Sequence, residues 1–158
     1  MTIRPARPGD GEKIFSLIKG LAIYEQLADD VVSTPQDFER DLFAENPVIR
    51  VLIAEDEGIA IGFALFFRSY STFLGRSGIF LEDIFVNESN RNQGIGKALL
   101  SAVAQVAVDE GAGRLEWSVL DWNELAIGFY KKLGARMMDG WTNCRLEGAA
   151  IQSVAAGL

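Results

Sequence analysis

Residues 79–111 join an apolar strand pattern to a glycine-containing turn and an amphipathic helix. Gly94 and Gly96 let the backbone of this turn approach a ligand closely. A helix over 94–110 presents unpaired N–H groups in its first turn, at the positive end of its dipole. Strand, turn and helix in this order favour an α/β fold with a phosphate or pyrophosphate site at the helix start. A tight strand-to-helix connection without a ligand has the same pattern, so both interpretations stay open.

Strand and helix patterns alternate along the whole chain, with short connections and no repeat or low-complexity tract. The predicted elements are strand 2–5, a helix after Asp10 with Ile14, Leu17, Ile18 and Leu21 on one face, helix 35–44, strands 49–55, 59–68 and 79–86, helix 94–110, strand 114–120, helix 124–132 and a last strand near 142–147. Asp10 and Asn123 suit N-caps, and Gly111 and Gly134 suit helix ends. We therefore expect one domain over residues 1–158.

Size and charge exclude several classes of protein. At 158 residues and 17.3 kDa the chain is as long as one compact domain. It lacks an apolar run of ~20 residues and a secretory signal at its start, so we expect no membrane partner and a cytoplasmic location. A net charge of -7 and a pI of about 4.6 oppose binding to nucleic acid and favour a cationic partner.

The sequence has no histidine and a single cysteine, Cys144. These counts exclude a Cys/His zinc site, a Ser-His or Cys-His nucleophile pair and an intrachain disulfide, and we expect no metal. Cys144 falls in the predicted last strand and has no histidine base. A packed thiol is therefore favoured over a covalent nucleophile.

The turn sequence fails two nucleotide-binding motifs and matches a third signature. A dinucleotide site needs a third glycine where Leu99 stands, and a P-loop needs serine or threonine at Ala98. The run Arg91-Asn92-Gln93-Gly94-Ile95-Gly96 instead matches Arg/Gln-x-x-Gly-x-Gly/Ala, by which the chain resembles the GNAT superfamily of N-acetyltransferases. Segments that resemble its diamine and polyamine branch, which includes spermidine/spermine and thialysine acetyltransferases, are 81–86, Trp122-Asn123, 129–135, and Leu21-Ala22 with Tyr24-Glu25.

This resemblance implies an acetyl-CoA-dependent enzyme with a single α/β domain. Its central sheet would be mixed and mostly antiparallel, with splayed strands and helices on both faces. An exposed N–H of Ile84 or Phe85 would polarise the thioester carbonyl, and amides of 92–97 would hold the pyrophosphate. The residues expected to bind the cofactor are Ile84, Phe85, Val86, Arg91, Asn92, Gln93, Gly94, Ile95, Gly96, Lys97 and Asn123.

Three carboxylates stand at positions that favour apolar residues. Glu82 and Asp83 interrupt the apolar strand 79–86, and an unpaired buried carboxylate is costly, so one of them is expected to face a wet cleft. A structural ion pair with a buried arginine is the alternative. Glu25 falls inside the apolar stripe of the first helix, unless that helix ends earlier and leaves Glu25 in a loop.

The resemblance also implies roles for individual side chains. Tyr24, Glu25, Glu82 and Asp83 would bind the amine substrate, and Glu82 would also take up its proton. Tyr130 would be the general acid that protonates the departing thiolate of coenzyme A. From its sequence context alone, Tyr130 is also typical of a packed core tyrosine.

The substrate class follows from departures within the branch. Ser71 stands where polyamine-specific members carry an acid, and Phe73 where they carry a tryptophan. We therefore expect acetyl transfer in a ternary complex to a short diamine or a lysine-like or thialysine-like amino acid. The alternatives are acetylation of protein lysines, N-termini or amino sugars, or a noncatalytic acyl-CoA-binding sensor. The resemblance further implies a homodimer.

Overall fold

A computed structural model describes residues 1–157 of the chain. The strands within these residues are β1 (Thr2–Pro5), β2 (Arg50–Asp56), β3 (Ile59–Ser71), β4 (Arg76–Val86) and β5 (Leu115–Trp117). The α-helices are α1 (Gly11–Tyr24), α2 (Pro35–Leu42), α3 (Ile95–Asp109), α4 (Glu124–Lys132) and α5 (Ala149–Ala155). The four predicted helices are confirmed, with ends that differ by a few residues from those expected.

The five strands form one mixed sheet in the order β1-β2-β3-β4-β5. Neighbours from β1 to β4 are antiparallel, and β5 pairs with β4 in parallel, from Ile79 opposite Leu115 to Leu81 opposite Trp117. This confirms the predicted mixed, mostly antiparallel sheet. The β3–β4 hairpin is longer than predicted, because pairing continues outward to Ser71 opposite Arg76.

Helices α1 and α3 cover opposite faces of the sheet. Buried side chains of α1 share a hydrophobic cluster with Phe63 and Phe85. Gly62, the neighbour of Phe63, points to the other face, where an added Cβ would lie 3.4 Å from the side chain of Leu99 in α3. Leu99 and Val103 are fully buried there. The predicted helices on both faces are therefore confirmed.

Charged side chains fix the start of α1 against the sheet. Arg4 of β1 donates from Nη1 to Oδ2 of Asp10 at 2.7 Å and from Nε to Oε2 of Glu55 at 3.0 Å. Asp10 also accepts the backbone N–H of Arg7 at 2.8 Å. These charged hydrogen bonds hold the pKa of the Asp10 carboxyl below its usual range.

The N-terminus of α1 is capped by a residue of α2. Asp10 occupies the predicted N-cap position, but its side chain makes no capping hydrogen bond because Arg4 and Arg7 already use its oxygens. Instead Oε1 of Glu39 accepts the N–H groups of Gly9 at 3.0 Å and of Gly11 at 2.6 Å. The cap therefore comes from a residue remote in sequence, which local patterns do not reveal.

The C-terminal region departs from the prediction. The strand expected near 142–147 is not formed, and every residue of that segment is exposed. Cys144 is consequently exposed rather than packed. A strand needs a neighbour to pair with its backbone, and within residues 1–157 this segment finds none. The tail that follows this segment forms the short helix α5.

The chain divides into two compact units. Residues 1–118 contain the sheet and helices α1 to α3, and the second unit, which begins at Val119, contains α4 and α5. No helix in the described residues is long and apolar enough to cross a membrane.

Candidate functional site

A β-bulge in β4 re-aims the two carboxylates that interrupt its apolar pattern. Asp83 pairs with Leu65 and Leu81 pairs with Phe66, so Glu82 is the extra residue between two consecutive pairs. Asp83 consequently lies on the α1 face, together with Leu65, and is only partly accessible. Glu82 is exposed. The sequence shows the two carboxylates but not the register shift that separates their directions.

Beyond Leu81 the far edge of β4 is open. The ladder with β5 ends at Leu81 and Trp117, and no strand in the described part of the chain pairs with β4 further along that edge. Asn87 donates its N–H to Ile61 O at 2.9 Å, so these two residues form a hydrogen-bonded pair. Along an antiparallel ladder, residues of one strand point their backbone groups alternately toward the partner strand and away from it. The backbone of Phe85 therefore faces β3.

The same alternation directs the backbone N–H and C=O groups of Ile84 and Val86 away from β3, toward the open edge. Of the two amides expected to polarise a thioester, Ile84 therefore has the suitable direction. The N–H of Phe85 belongs to the sheet ladder.

Helix α1 ends in a Schellman motif that sets the position of Glu25. Gln26 has a positive φ of 62° and donates its N–H to Ile23 O at 3.1 Å, while Leu27 donates to Ala22 O at 2.8 Å. Tyr24 is thus the last helical residue and Glu25 the C-cap. The helix therefore ends one residue before Glu25, although the backbone of Glu25, with φ -82° and ψ -1°, still has helical angles.

The last turns of α1 lie close against β4. A Cβ added to Gly20 would come within 2.9 Å of Cε1 of Phe85, a distance that real Cβ atoms do not adopt. Phe85 shares its face of the sheet with Asp83. This close approach brings the end of α1, with Tyr24 and Glu25, to the same part of the sheet as the β4 carboxylates.

Glu25, Glu82 and Asp83 form an acidic cluster. Burial, followed by the charges of Glu82 and Glu25, raises the pKa of Asp83 to about 7. Burial also raises the pKa of Glu25. In the described chain none of the three is paired with an arginine or lysine, so the alternative of a structural ion pair is not supported. Three carboxylates without a cation favour a positively charged ligand.

The turn before α3 has the geometry of an anion site. Asn92 and Gly94 have positive φ values of 63° and 78°, and the first intrahelical hydrogen bond runs from Ala98 N–H to Gly94 O at 2.9 Å. The amides that precede Ala98 in the helix need partners outside it. A Cβ at Gly94 would meet nothing within 4 Å, and one at Gly96 only Val86 Cγ2 at 3.9 Å. Space for a ligand is therefore present beside these amides.

Arg91, the first residue of the signature, contacts residues of α1 and β4. Its Nε donates to Val86 O at 3.1 Å. Its guanidinium carbon lies 4.5 Å from the ring centroid of Tyr24 and 5.6 Å from that of Phe85. The structure thus joins Arg91, predicted to bind the cofactor, to Tyr24, predicted to bind the amine. Their separation in sequence gives no signal of this contact.

The two remaining predicted site residues, Asn123 and Tyr130, lie in the second unit. Oδ1 of Asn123 accepts the N–H of Ala126 at 3.2 Å, which confirms its predicted N-cap. Tyr130 is buried, 7% exposed, with its ring 5.4 Å from that of Phe129. Burial of this kind is compatible both with a packed tyrosine and with a desolvated acid.

No group of three or more His, Cys, Asp or Glu side chains is arranged to hold a metal ion in the part of the chain that the structure covers.

The chain is similar in sequence and in fold to known proteins. The chain is 40% identical over 164 residues to thialysine N-epsilon-acetyltransferase from Sus scrofa, covering 97% of this chain and 96% of that protein. It is 44% identical over 119 residues to L-ornithine N5-acetyltransferase from Arabidopsis thaliana, covering 75% and 49%. An integron cassette protein of V. cholerae shares the fold, with a TM-score of 0.81 at 24% identity over 98% of this chain and 96% of that one.

A family model described as acetyltransferase (GNAT) family matches residues 20–135. This range includes all three carboxylates of the acidic cluster and helices α3 and α4. The match covers more than half of the chain and contains both the open edge of β4 and the turn at Gly94. The chain therefore belongs to the GNAT family of acetyltransferases and is an acyltransferase enzyme.

Proposed function

We propose that this enzyme transfers an acetyl group from acetyl-CoA to a primary amine of a small cationic molecule, either a short diamine or a lysine-like or thialysine-like amino acid. The observation that carries the proposal is the acidic cluster of Glu25, Glu82 and Asp83, which has no cation of its own in the described chain. A small ammonium ion supplies the missing charge.

The cofactor half of the proposal is supported by the open edge of β4 and the turn before α3. GNAT acetyltransferases use acetyl-CoA, which supplies the acetyl group as an activated thioester. The outward backbone groups of Ile84 and the outward N–H of Val86 suit its pantetheine arm, and the amides from Asn92 to Lys97 suit its pyrophosphate. Ile84 N–H is the donor placed to stabilise a developing oxyanion.

On the amine side, the carboxylates bind the ammonium group and remove its proton. An ammonium nitrogen has no lone pair, so it must lose a proton before it attacks a carbonyl carbon. Glu82 accepts this proton, directly or through water, because the bulge exposes its carboxylate to solvent. Asp83 and Glu25 hold the remaining charge of the substrate.

Tyr130 and Asn123 complete the proposed machinery. Tyr130 holds a proton at its phenol oxygen for the departing thiolate, and Asn123 contacts the coenzyme arm, as the resemblance implies. The family match at residues 20–135 crosses the boundary between the two units, which supports one acetyltransferase domain over residues 1–158. Transfer then takes place directly, in a ternary complex.

The names of two relatives support the proposed substrate class. Thialysine and ornithine, named in two of them, are amino acids with a primary amine at the end of a short side chain. Such a molecule carries cationic groups for the acidic cluster and an amine for acetylation. We also propose a cytoplasmic location and, by the resemblance to this branch, a homodimer; a monomer in light scattering at assay concentration would contradict the dimer.

The proposal is tested by measuring coenzyme A release from acetyl-CoA with thialysine, lysine, ornithine, putrescine, spermidine, spermine, an amino sugar and a lysine peptide. We expect selective turnover of the small diamines or amino acids. Glu82→Gln should lose most of this activity, whereas Glu88→Gln, which changes an exposed carboxylate outside the cluster, should retain it. Turnover of only the peptide or the sugar would contradict the proposal.

A further inference from the structure

Arg91 connects three segments that carry the two proposed ligand sites. Its guanidinium lies over the ring of Tyr24, at the end of α1, and near the ring of Phe85 in β4. Its Nε donates a hydrogen bond to the carbonyl oxygen of Val86, the last residue of β4. A cation over an aromatic face is attracted by the ring quadrupole, and the attraction grows when both groups are partly withdrawn from water, as Tyr24 and Arg91 are.

Arg91 is also the residue from which the cofactor turn departs. The next residue, Asn92, has a φ of 63°, in the left-handed region that asparagine enters more readily than other non-glycine residues. The side chain of Arg91 donates a hydrogen bond to Val86 O and so ties the backbone before Asn92 to the end of β4. Loss of this hydrogen bond would remove the tie between β4 and the turn that carries the cofactor amides.

We propose that Arg91 is a positioning residue that makes binding of acetyl-CoA and binding of the amine depend on each other, through its contact with Tyr24. This inference rests on the proposed function, which places acetyl-CoA at the turn and the amine beside Tyr24. A ligand that orders the turn also fixes Arg91 and hence the ring of Tyr24. By reciprocity of binding free energies, bound amine raises the affinity for acetyl-CoA by the same factor as bound acetyl-CoA raises the affinity for the amine.

The test is a double-mutant cycle on coenzyme A affinity, measured by calorimetry without amine. Tyr24→Leu removes the ring and is expected to weaken coenzyme A binding about 3- to 10-fold, the range of one partly buried cation–π contact. In the Arg91→Met background the same change should have less than about a twofold effect, because the contact is already absent. Additive effects of the two substitutions would overturn the inference.

Phe15→Leu is the matched control. It removes another aromatic partner of a cation on α1, since Lys19 Nζ lies 4.8 Å from the Phe15 ring centroid, and Phe15 is outside both proposed sites. Coenzyme A affinity should be unchanged in Phe15→Leu. An equal loss in this variant would show a general effect of weakening α1 and would overturn the inference.

A second measurement does not depend on the folding of Tyr24→Leu. At saturating acetyl-CoA, Arg91→Met should still raise the KM for the amine about 3-fold or more, because Tyr24 is no longer held. An unchanged KM for the amine would contradict the coupling. A wild-type protein that binds no coenzyme A would instead contradict the proposed function itself, so the two failures are distinguishable.

Discussion

At the residue scale, Asp83 combines a buried position with two neighbouring carboxylates, and its pKa is raised to about 7. Below pH 7 the protonated carboxyl leaves the acidic cluster with one negative charge fewer, which weakens its attraction for a cation. We predict that kcat/KM for the amine falls as the pH drops through 7, by up to about tenfold per unit. A pH profile of kcat/KM should lose this inflection in Asp83→Asn; an unchanged inflection would show that another group titrates.

The raised pKa of Asp83 should also make the free energy of unfolding depend on pH. The ordinary pKa of this carboxyl is 3.8, so between about pH 4 and 7 the unfolded chain is ionised while the folded one keeps its proton. The contribution of Asp83 therefore becomes more destabilising as the pH rises through this window and is constant above it. Urea unfolding at pH 4.5 and pH 8 should show that Asp83→Asn gains stability relative to wild type at the higher pH. Equal differences at both pH values would contradict the assignment.

Two glycines in helices should respond oppositely to alanine. In Gly20→Ala the new Cβ would lie 2.9 Å from the ring of Phe85, and the overlap should outweigh the helix preference of alanine, costing about 1–3 kcal/mol. Displacement of Glu25 should also raise the KM for the amine. Gly128→Ala in α4 meets nothing within 4 Å and should stabilise by up to about 1 kcal/mol. Thermal unfolding of both variants checks the signs, and a stabilised Gly20→Ala would refute the close packing of α1.

The proposed catalytic roles predict a loss of turnover with little loss of fold. Tyr130→Phe removes the proton donor and should lower kcat about 100-fold or more. Glu82→Gln removes the proton acceptor at an exposed position and should act similarly, with relief at high pH where the free amine is more abundant. Unchanged turnover in both variants, in steady-state assays, would show that these role assignments are wrong.

At the element scale, the start of α1 depends on the contact of Arg4 with Asp10 and Glu55. Arg4→Met would leave Asp10, whose side chain is 7% exposed, without its main partner, and should cost roughly 3 kcal/mol near pH 7. The pKa of Asp10 is lowered by this contact, so its stabilisation is present above the ordinary pKa of 3.8 and is lost as the pH falls through the lowered value. The difference in urea unfolding between wild type and Arg4→Met should therefore shrink below about pH 4. A constant difference would contradict this account.

Elements set by local patterns could be predicted from the sequence, whereas elements set by distant partners could not. Helix α4 follows from Asn123 at its start and Gly134, with a φ of 88°, at its end, and both features are confirmed. The cap of α1 by Glu39 and the contact between Arg91 and Tyr24 join residues that no periodicity links.

The β4 carboxylates were recognisable because they interrupt an apolar run, but their directions depend on a register shift opposite Leu65 and Phe66. One residue inserted into an alternating strand moves the following side chains to the other face. The strand expected near 142–147 and the packed Cys144 expected within it are both wrong, because the described chain has no strand that pairs with this segment.

At the scale of the whole molecule, the chain is a GNAT acetyltransferase, and we propose that its acidic cluster selects the amine. The net charge of -7 favours approach of cations in general, but an exposed charge is screened within about 10 Å at ordinary salt. We therefore predict that selection among cations depends on the partly buried carboxylates. The sequence indicates the family through its motifs, while the arrangement of the cluster required the structure.

The most direct measurement is an internal competition, in which equal concentrations of thialysine, ornithine, putrescine, spermine, an amino sugar and a lysine peptide share limiting acetyl-CoA. Mass spectrometry of the products gives the relative kcat/KM values in a single reaction. We predict that acetylated small amino acids or putrescine dominate and that this preference is lost when Glu25 and Asp83 are both replaced by their amides. Predominant acetylation of the peptide or the sugar, or a preference that survives neutralisation of both carboxylates, would contradict the account.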